Sequence, residues 1–456
     1  MTHDLSYADH IAISYLSAIA KQLNHSTFFC TLDKEPFCHN DLVTAVKQVR
    51  PEVIAYSVNI IGFRRAVEAN LKAKKIHNFI SIMGGPHSTF SPETFSASGM
   101  DAYCVGEGEY AFRDFLIRVE KGGSFDDVEN IITERHSNPV RPFIKNLNEL
   151  PMADRDLVIS NSLLKVIPKK TFYATRGCLF KCTYCCNNYY HNLYKGKGHF
   201  LRRFSVERII QEIEHVKRKY RMDFVKFGDD CFAMKADYWL EEFSEKYSRR
   251  IGIPFNCYLR LDLIDDALLR LLKKAGCFSV HLSLDSTSEY VREQVLHRKM
   301  QSANIVENLK KVRAYGINTW INYMLAVPES TLQDDLNTIK FSKEVKVSYP
   351  SYSTTVPMKG TDLHKYCVEK GLIKPSFEGD YSGFSEKSSL SCFKEREKNI
   401  RYNIYLLGAL LVKLPYPLDK VVLFLIKFIP PNRLFKKIHD AIWKYHIENI
   451  IFKLPK

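Results

Sequence analysis

Six times between residues 171 and 356, a short run rich in β-branched and aromatic residues gives way to a stretch with helical apolar spacing. The expected strands are 171–175, 224–227, 254–258, 279–284, 319–326 and 351–356. Within 206–220, Val206, Ile209, Ile210, Ile213 and Val216 form one stripe of a 3.6-residue period. Within 305–315 the stripe is Ile305, Val306, Leu309 and Val312, and Gly316 supplies the stop. Helices alternating with buried strands imply a parallel sheet, and six such units predict an open (β/α)6 barrel. In that architecture the chemistry gathers at the C-terminal ends of the strands.

The segment before it alternates too. A helix over 11–23 precedes expected strands at 26–32, 53–58, 79–83 and 102–105, which predicts an N-terminal Rossmann-like parallel sheet. Such a sheet normally opens on a strand, whereas here the first helix comes almost at once. Either the opening strand is missing or the sheet is one strand narrower. Polar and turn residues dominate 121–170, which reads as a linker. The resulting division is 1–125, a linker 126–170, a barrel 171–365 and a mostly helical, basic C-terminal extension 366–456. No internal repeat is present.

Residues 394–456 carry thirteen Lys and Arg against five acids, with apolar runs at 405–412 and 421–428, each too short to span a bilayer. That pattern suits either a helix lying in a membrane interface or a cap on the barrel core. The whole chain has a formal charge of +15, which favours polyanionic partners: nucleic acid, phosphorylated ligands or an anionic membrane face. The first residues lack the basic and apolar regions of a signal peptide, so twelve cysteines point to reduced thiols and metal ligation in a cytoplasmic protein.

The decisive segment follows the first barrel strand. Cys178, Cys182 and Cys185 fall at C-x3-C-x2-C spacing on one short loop, after Arg176-Gly177. Three thiolates so placed can ligate three irons of a 4Fe–4S cluster, which leaves the fourth iron open to a substrate or cofactor. A structural zinc site usually draws four ligands from two paired clusters, and the upstream pair is absent. Cys186 offers a fourth thiol, but adjacent side chains are expected to point apart.

These residues resemble the radical S-adenosylmethionine superfamily, and specifically its class with an N-terminal cobalamin-binding domain. The resemblance covers about residues 5–365. It implies that the open iron chelates S-adenosylmethionine and that one electron, from a reductant such as flavodoxin or ferredoxin, releases a 5′-deoxyadenosyl radical. Further matches fall in chain order. Tyr184 holds the aromatic position before the last cysteine, near the adenine. Asp229 and Asp230 in Phe227-Gly-Asp-Asp230 resemble the acidic segment facing the cofactor's amino group, or else form a solvated strand end. Ser283 and Asp285 stand where the family often has Gly-x-Glu-Ser, and Arg298 where an arginine approaches the cofactor carboxylate. Residues 326–331, Ala-Val-Pro-Glu-Ser-Thr, resemble Gly-x-Pro-Gly-Glu-Thr with both glycines replaced.

In the N-terminal domain, Ser57, the segment Gly84-Gly85-Pro86-His87 and the segment Gly106-Glu107-Gly108 resemble the family's cobalamin contacts. Glycines at strand ends let backbone approach a bulky ligand. They fit equally well as plain turns in a domain that has lost its ligand. The Asp-x-His-x-x-Gly pattern is absent, so by resemblance cobalamin would bind without a lower histidine ligand.

The expected activity is cobalamin-dependent methylation of an unactivated carbon on a small or lipid-like substrate, at a site peripheral to the inner face of the membrane. Related members cyclise or rearrange their substrates instead. A transfer-RNA methylthiotransferase would use the basic charge, yet Cys30, Cys38 and Cys104 are too scattered for a second cluster and no RNA-binding barrel is evident, so nucleic acid is not expected as partner. A non-catalytic iron–sulfur or zinc module is the remaining alternative. No catalytic side chain is singled out by the sequence.

Overall fold

The computed structural model describes residues 9–32, 42–300, 302–377, 379 and 381–454. The chain forms two compact units, the first drawn from residues 1–167 with 189–204 and 215–221, the second from 168–188, 205–214 and 222–456.

In the first unit, strands β1 (Val53–Ser57), β2 (Ile80–Gly84) and β3 (Ala102–Cys104) run parallel in that order, as expected near 53–58, 79–83 and 102–105. A fourth strand, β4 (Ile131–Ile132), joins β3 antiparallel. Helices cover both faces, as a parallel sheet requires. Ala20, Ile82, Phe115 and Ile131 pack on one side; Val46, Tyr56, Met83 and Tyr103 pack on the other. The strand expected at 26–32 does not form. Phe28 is 69% exposed there, and no ladder partner reaches it among the described residues. A β-branched and aromatic run needs a neighbouring strand to realise its preference, and this one has none. Residues 126–167 are not bare linker: they contribute β4 and bury Val128, Val140, Phe143 and Leu147.

The second unit holds six parallel strands paired strictly in chain order: β5 (Lys169–Phe172), β6 (Phe224–Phe227), β7 (Phe255–Tyr258), β8 (Cys277–Asp285), β9 (Asn318–Leu325) and β10 (Tyr349–Thr354). β5 and β10 are edge strands, so the barrel is open, as the six repeated units predict. Side chains alternate across each strand. Phe227 faces outward onto Phe243 and Tyr247, which places Lys226 inward. Asp237 and Asp265 cap the helices that follow β6 and β7, and Gly276, at φ 98°, ends the second of these.

The C-terminal extension is integral to this unit. The helix Glu395–Lys413 lies against β10, where a Cβ on Gly408 would stand 2.7 Å from the Tyr352 ring. The Arg401 guanidinium makes a buried ion pair with Asp335, 2.6 Å away. Phe452 is buried beneath the barrel, 5.3 Å from Phe224 and 6.2 Å from Trp320 between ring centroids. Of the two expectations for residues 394–456, capping therefore describes 395–413 and the tail. Leu418–Phe428 is different, since one side of that helix is exposed. Among the described residues no helix is long and apolar enough to cross a membrane.

Candidate functional site

The cysteine loop joins the end of β5 to the helix Cys186–Leu193 and is pinned by its own backbone. Gly177, at φ 85°, turns the chain into the loop in a region that favours glycine. The Thr183 amide donates to Leu296 O (3.0 Å), its hydroxyl to Val295 O (2.8 Å), and Leu363 N donates to Thr183 O (2.9 Å). Cys182 is buried, while Cys178 and Cys185 are half-buried.

Burial pushes the Cys178 thiol up to about 11 and raises Cys182, although Arg298 and Arg260 act on Cys182 in the opposite sense. Cys185 is lowered, chiefly by a hydrogen bond from the Cys186 thiol, with help from Asn187, whose amide lies 3.7 Å from the sulfur. Among the described residues no three His, Cys, Asp or Glu side chains converge on a single metal ion. Three soft thiol donors spread over one loop, with two arginines nearby, fit a cubane whose corner irons are spaced more widely and whose net charge is negative.

Four of the expected cofactor residues come together at the C-terminal end of β8. Tyr184 Oη donates to Asp285 Oδ2 at 2.6 Å, and Arg298 Nε lies 3.0 Å from the same oxygen. Arg298 also donates to Tyr184 Oη (3.1 Å) and to Ser283 O (2.8 Å), and the Ser283 hydroxyl bonds Asp285 Oδ1. Asp285 adopts φ 66°, a left-handed conformation that Asp tolerates better than most residues. These groups form a buried network beside the loop in which the Asp285 charge is matched by Arg298, although Arg298 Nε itself makes no aligned hydrogen bond.

Asp229 is not the solvated strand end allowed by the sequence. Its Oδ1 accepts from Ala174 N (2.8 Å), Thr175 N (2.5 Å) and Thr175 Oγ1 (2.7 Å), so it fixes the turn out of β5. Its Oδ2 is buried and unpartnered, and burial pushes the carboxyl up to about 7. Asp230 is exposed, yet crowded enough that desolvation raises it, and its charge is felt at Cys178 and Cys185. The replaced glycines are informative. Ala326 (φ 58°) and Glu329 (φ 65°) both hold left-handed backbone, so the turn keeps a glycine-like path without glycine. Glu329 is tied down by Tyr290 Oη (2.6 Å) and Tyr366 Oη.

In the first unit, Ser57 and Gly84 stand level at the C-terminal ends of β1 and β2. Gly85 (φ 96°) packs so closely that a Cβ would meet Val58 backbone atoms at 2.9 Å. Pro86 opens a short helix, and His87 is buried, stacked on Phe63 at 3.9 Å with Nε2 3.0 Å from Thr94 Oγ1. At Gly106 (φ 81°) a Cβ would strike the Tyr194 ring, whose hydroxyl accepts from Glu107 N at 2.7 Å. The Glu107 carboxylate is held by Arg202 at 2.8 and 2.9 Å, and Gly108 precedes the helix Glu109–Glu120. The His87 and Glu107 side chains are thus engaged within the unit, while Gly85 and Gly106 are positions with no room for a Cβ. Ser57 and Gly84 remain at an uncharged edge where ligands bind in open α/β sheets; the nearest atom to a Cβ on Gly84 is Cys104 Cβ, 3.7 Å away. Lacking a side chain, Gly84 leaves its backbone there open to close approach by a ring system. Cys104 itself is buried in β3, Cys30 is half-buried, and Cys38 lies outside the described residues.

Motif reading missed the barrel interior, where Lys226, Tyr258, His281 and Trp320 meet, and also missed Arg260, whose guanidinium lies 3.6 Å from the Phe180 ring centroid on the cysteine loop. The signal was available in the inward-facing alternate positions of each strand.

Family comparison agrees with both units. Residues 5–116 match the B12 binding domain and residues 172–341 match the Radical SAM superfamily. An uncharacterized methyltransferase of Pyrococcus horikoshii is 23% identical over 371 residues, 80% of this chain and 79% of that protein. The cytidylyl-2-hydroxyethylphosphonate methyltransferase of Streptomyces wedmorensis is 20% identical over 382 residues, 74% of this chain and 70% of that protein. Among solved structures, the cobalamin-dependent S-adenosylmethionine radical enzyme OxsB superposes with a TM-score of 0.69 at 18% identity, covering 96% of this chain and 70% of its own. The radical S-adenosylmethionine methyltransferase TsrM from Kitasatospora setae superposes with a TM-score of 0.67 at 13% identity, covering 80% and 74%. The chain carries a B12 binding domain followed by a domain of the Radical SAM superfamily.

Proposed function

We propose that the chain is a cobalamin-dependent radical S-adenosylmethionine methyltransferase acting on an unactivated carbon of a small molecule. The observation that carries this reading is the Tyr184–Asp285–Arg298 network held beside Cys178, Cys182 and Cys185 at the C-terminal strand ends of an open six-stranded barrel. The three cysteines would hold the cluster, which, once reduced by a protein such as flavodoxin or ferredoxin, supplies the electron that cleaves the sulfonium. The chain's own share is positioning. Arg298 and Arg260 counter negative charge at the loop, Asp229 fixes the turn that delivers it, and Asp230 offers an accessible carboxylate to an ammonium group. Ser57 and Gly84 line the edge offered to cobalamin within residues 1–125, and residues 171–365 form the catalytic barrel. The two relatives named as methyltransferases favour methyl transfer over cyclisation. Anoxic turnover with methyl-labelled S-adenosylmethionine tests it: labelled product together with 5′-deoxyadenosine is expected, and 5′-deoxyadenosine without a methylated product would reject methyl transfer.

A peripheral membrane location and a lipid-like substrate have one supporting observation. On the helix Leu418–Phe428, Leu418, Val421, Phe424 and Phe428 are exposed on one stripe, with Lys420 and Lys427 along its border and Arg433 just beyond. Vesicles containing phosphatidylglycerol should sediment the full chain but not Val421→Asp/Phe424→Asp. Equal sedimentation of both would reject membrane docking.

A further inference from the structure

Register places four rings in one layer across the barrel. Tyr258 pairs with His281, His281 with Trp320, and Trp320 with Tyr349. His281 is sandwiched, 4.2 Å from Tyr258 and 3.9 Å from Trp320 between ring centroids. The Lys226 ammonium stands 5.3 Å from the Tyr258 centroid and 5.8 Å from that of Trp320. Lys226 is on β6 and Trp320 on β9, with two strands between them in the sheet. Their approach therefore crosses the interior, and all these groups face the lumen. Phe452 lies under Trp320, and the Ser279 hydroxyl donates to Ile451 O at 2.7 Å, so the chain's tail forms the underside of this layer.

The layer has more hydrogen-bonding capacity than it uses. His281 is 4% exposed, and neither ring nitrogen has a partner at good hydrogen-bond geometry, although the Asn322 side chain acts on the ring. Trp320 Nε1 is likewise buried and unpartnered. Desolvation, reinforced by the Lys226 charge, pulls His281 down to about 3, so the imidazole is neutral. A buried polar group without a partner is costly and calls for one from outside the chain. Turned to the lumen side are an ammonium, an indole N–H, one imidazole N–H and the Asn322 amide. The inward positions of β6 to β9 carry no carboxylate below Asp285, and Asp230, just past the end of β6, acts on Tyr258 from above the layer.

We propose that Lys226, Trp320 and His281 form an anion-binding subsite on the barrel floor that takes a phosphate, phosphonate or carboxylate group of the substrate. The inference rests on the barrel being the reaction chamber of the proposed enzyme, and it adds the chemical class of the substrate. A charge-assisted contact in a desolvated site is strong and directional. It also fixes distance. From His281 to Asp285 is four residues of β8, roughly 13 Å at about 3.3 Å per residue. A group anchored on the floor thus places a carbon of a small molecule near the Tyr184–Asp285–Arg298 network. Lys226, Trp320 and His281 are positioning and specificity residues in this account, remote from the thiol loop.

The test uses the full-length protein, cluster assembled anoxically, with its three tryptophans replaced by 5-fluorotryptophan. Trp320→Phe assigns the relevant fluorine resonance. Glycerol phosphate is the soluble probe, dihexanoyl phosphatidate the lipid-headgroup probe, and glycerol the neutral control. A saturable shift of the Trp320 resonance with either phosphate, but not with glycerol, is expected, and which probe saturates identifies a free phosphoester or a lipid headgroup as the source. The affinity should fall at least tenfold in Lys226→Met and stay within about threefold in Lys226→Arg, each checked for an unchanged circular dichroism spectrum. No shift with either phosphate in the wild-type protein, or equal affinity in Lys226→Met, overturns the proposal. Neither measurement needs turnover, so a failed subsite is distinguishable from a failed methyltransferase.

Discussion

Replacing Arg298 by Met should loosen the C-terminal end of β8, and replacing both members of its ion pair should cost less than the two single replacements summed. Arg298 and Asp285 are 3.0 Å apart, with side chains 9% and 2% exposed. Removing one partner of a buried pair strands the other charge, at about 3–5 kcal/mol. Here the lower end applies, because Asp285 would keep the Tyr184 and Ser283 hydroxyls as donors. Asp285→Asn should cost a similar amount by stranding Arg298, and Asn tolerates the φ of 66° at that position, so no backbone strain is added. The double variant Arg298→Met/Asp285→Asn strands neither charge, and the two effects should fall short of additivity by about 2 kcal/mol. Hydrogen exchange read at the amides of β8 and β9 reports local opening. A loss of about 3 kcal/mol is roughly a hundredfold faster exchange in each single variant. Single variants that exchange less than fivefold faster, or a double variant whose effect equals the sum of the two, would refute the view that the pair is mutually compensating.

Asp229→Asn should flatten the pH dependence of stability. The folded carboxyl, near 7, holds its proton longer than an unfolded aspartate near 3.9. Folding therefore takes up a proton in that window, and the contribution of Asp229 to stability falls as pH rises from about 4 to about 7, by on the order of 4 kcal/mol in total. Urea midpoints from pH 5 to 8 should show a shallower decline in the variant. Serine at Cys178, Cys182 or Cys185 should each abolish stable iron retention after anoxic assembly, while Cys186→Ser should keep it, as iron and acid-labile sulfide analysis would show. Gly408→Ala should force the Tyr352 ring from its seat, costing about 1–3 kcal/mol and lowering the melting temperature.

The strand–helix alternation, the open barrel and the three-cysteine loop were legible because each is a local pattern: a period of 2 or 3.6, a turn residue, a spacing. The match of Tyr184, Ser283, Asp285 and Arg298 to the family's order named the members of one network, but not that they satisfy one another. Residues 26–32 misled for the complementary reason. Their strand preference is local, whereas a ladder needs a partner elsewhere in the chain.

Tertiary structure alone decided the rest. His87 and Glu107 sit in motifs that suggest ligand contact, yet Phe63 and Arg202, from distant parts of the same unit, claim them. The basic extension read equally well as membrane helix or cap until the fold laid Gly408 on Tyr352 and left Phe424 bare. Lys226 carries no sequence signal of its own; closure of the sheet brings it to Trp320. A chain's periodicity dictates which side of an element is apolar; which groups meet across the interior is set by how the strands curl, and no spacing in the sequence records it.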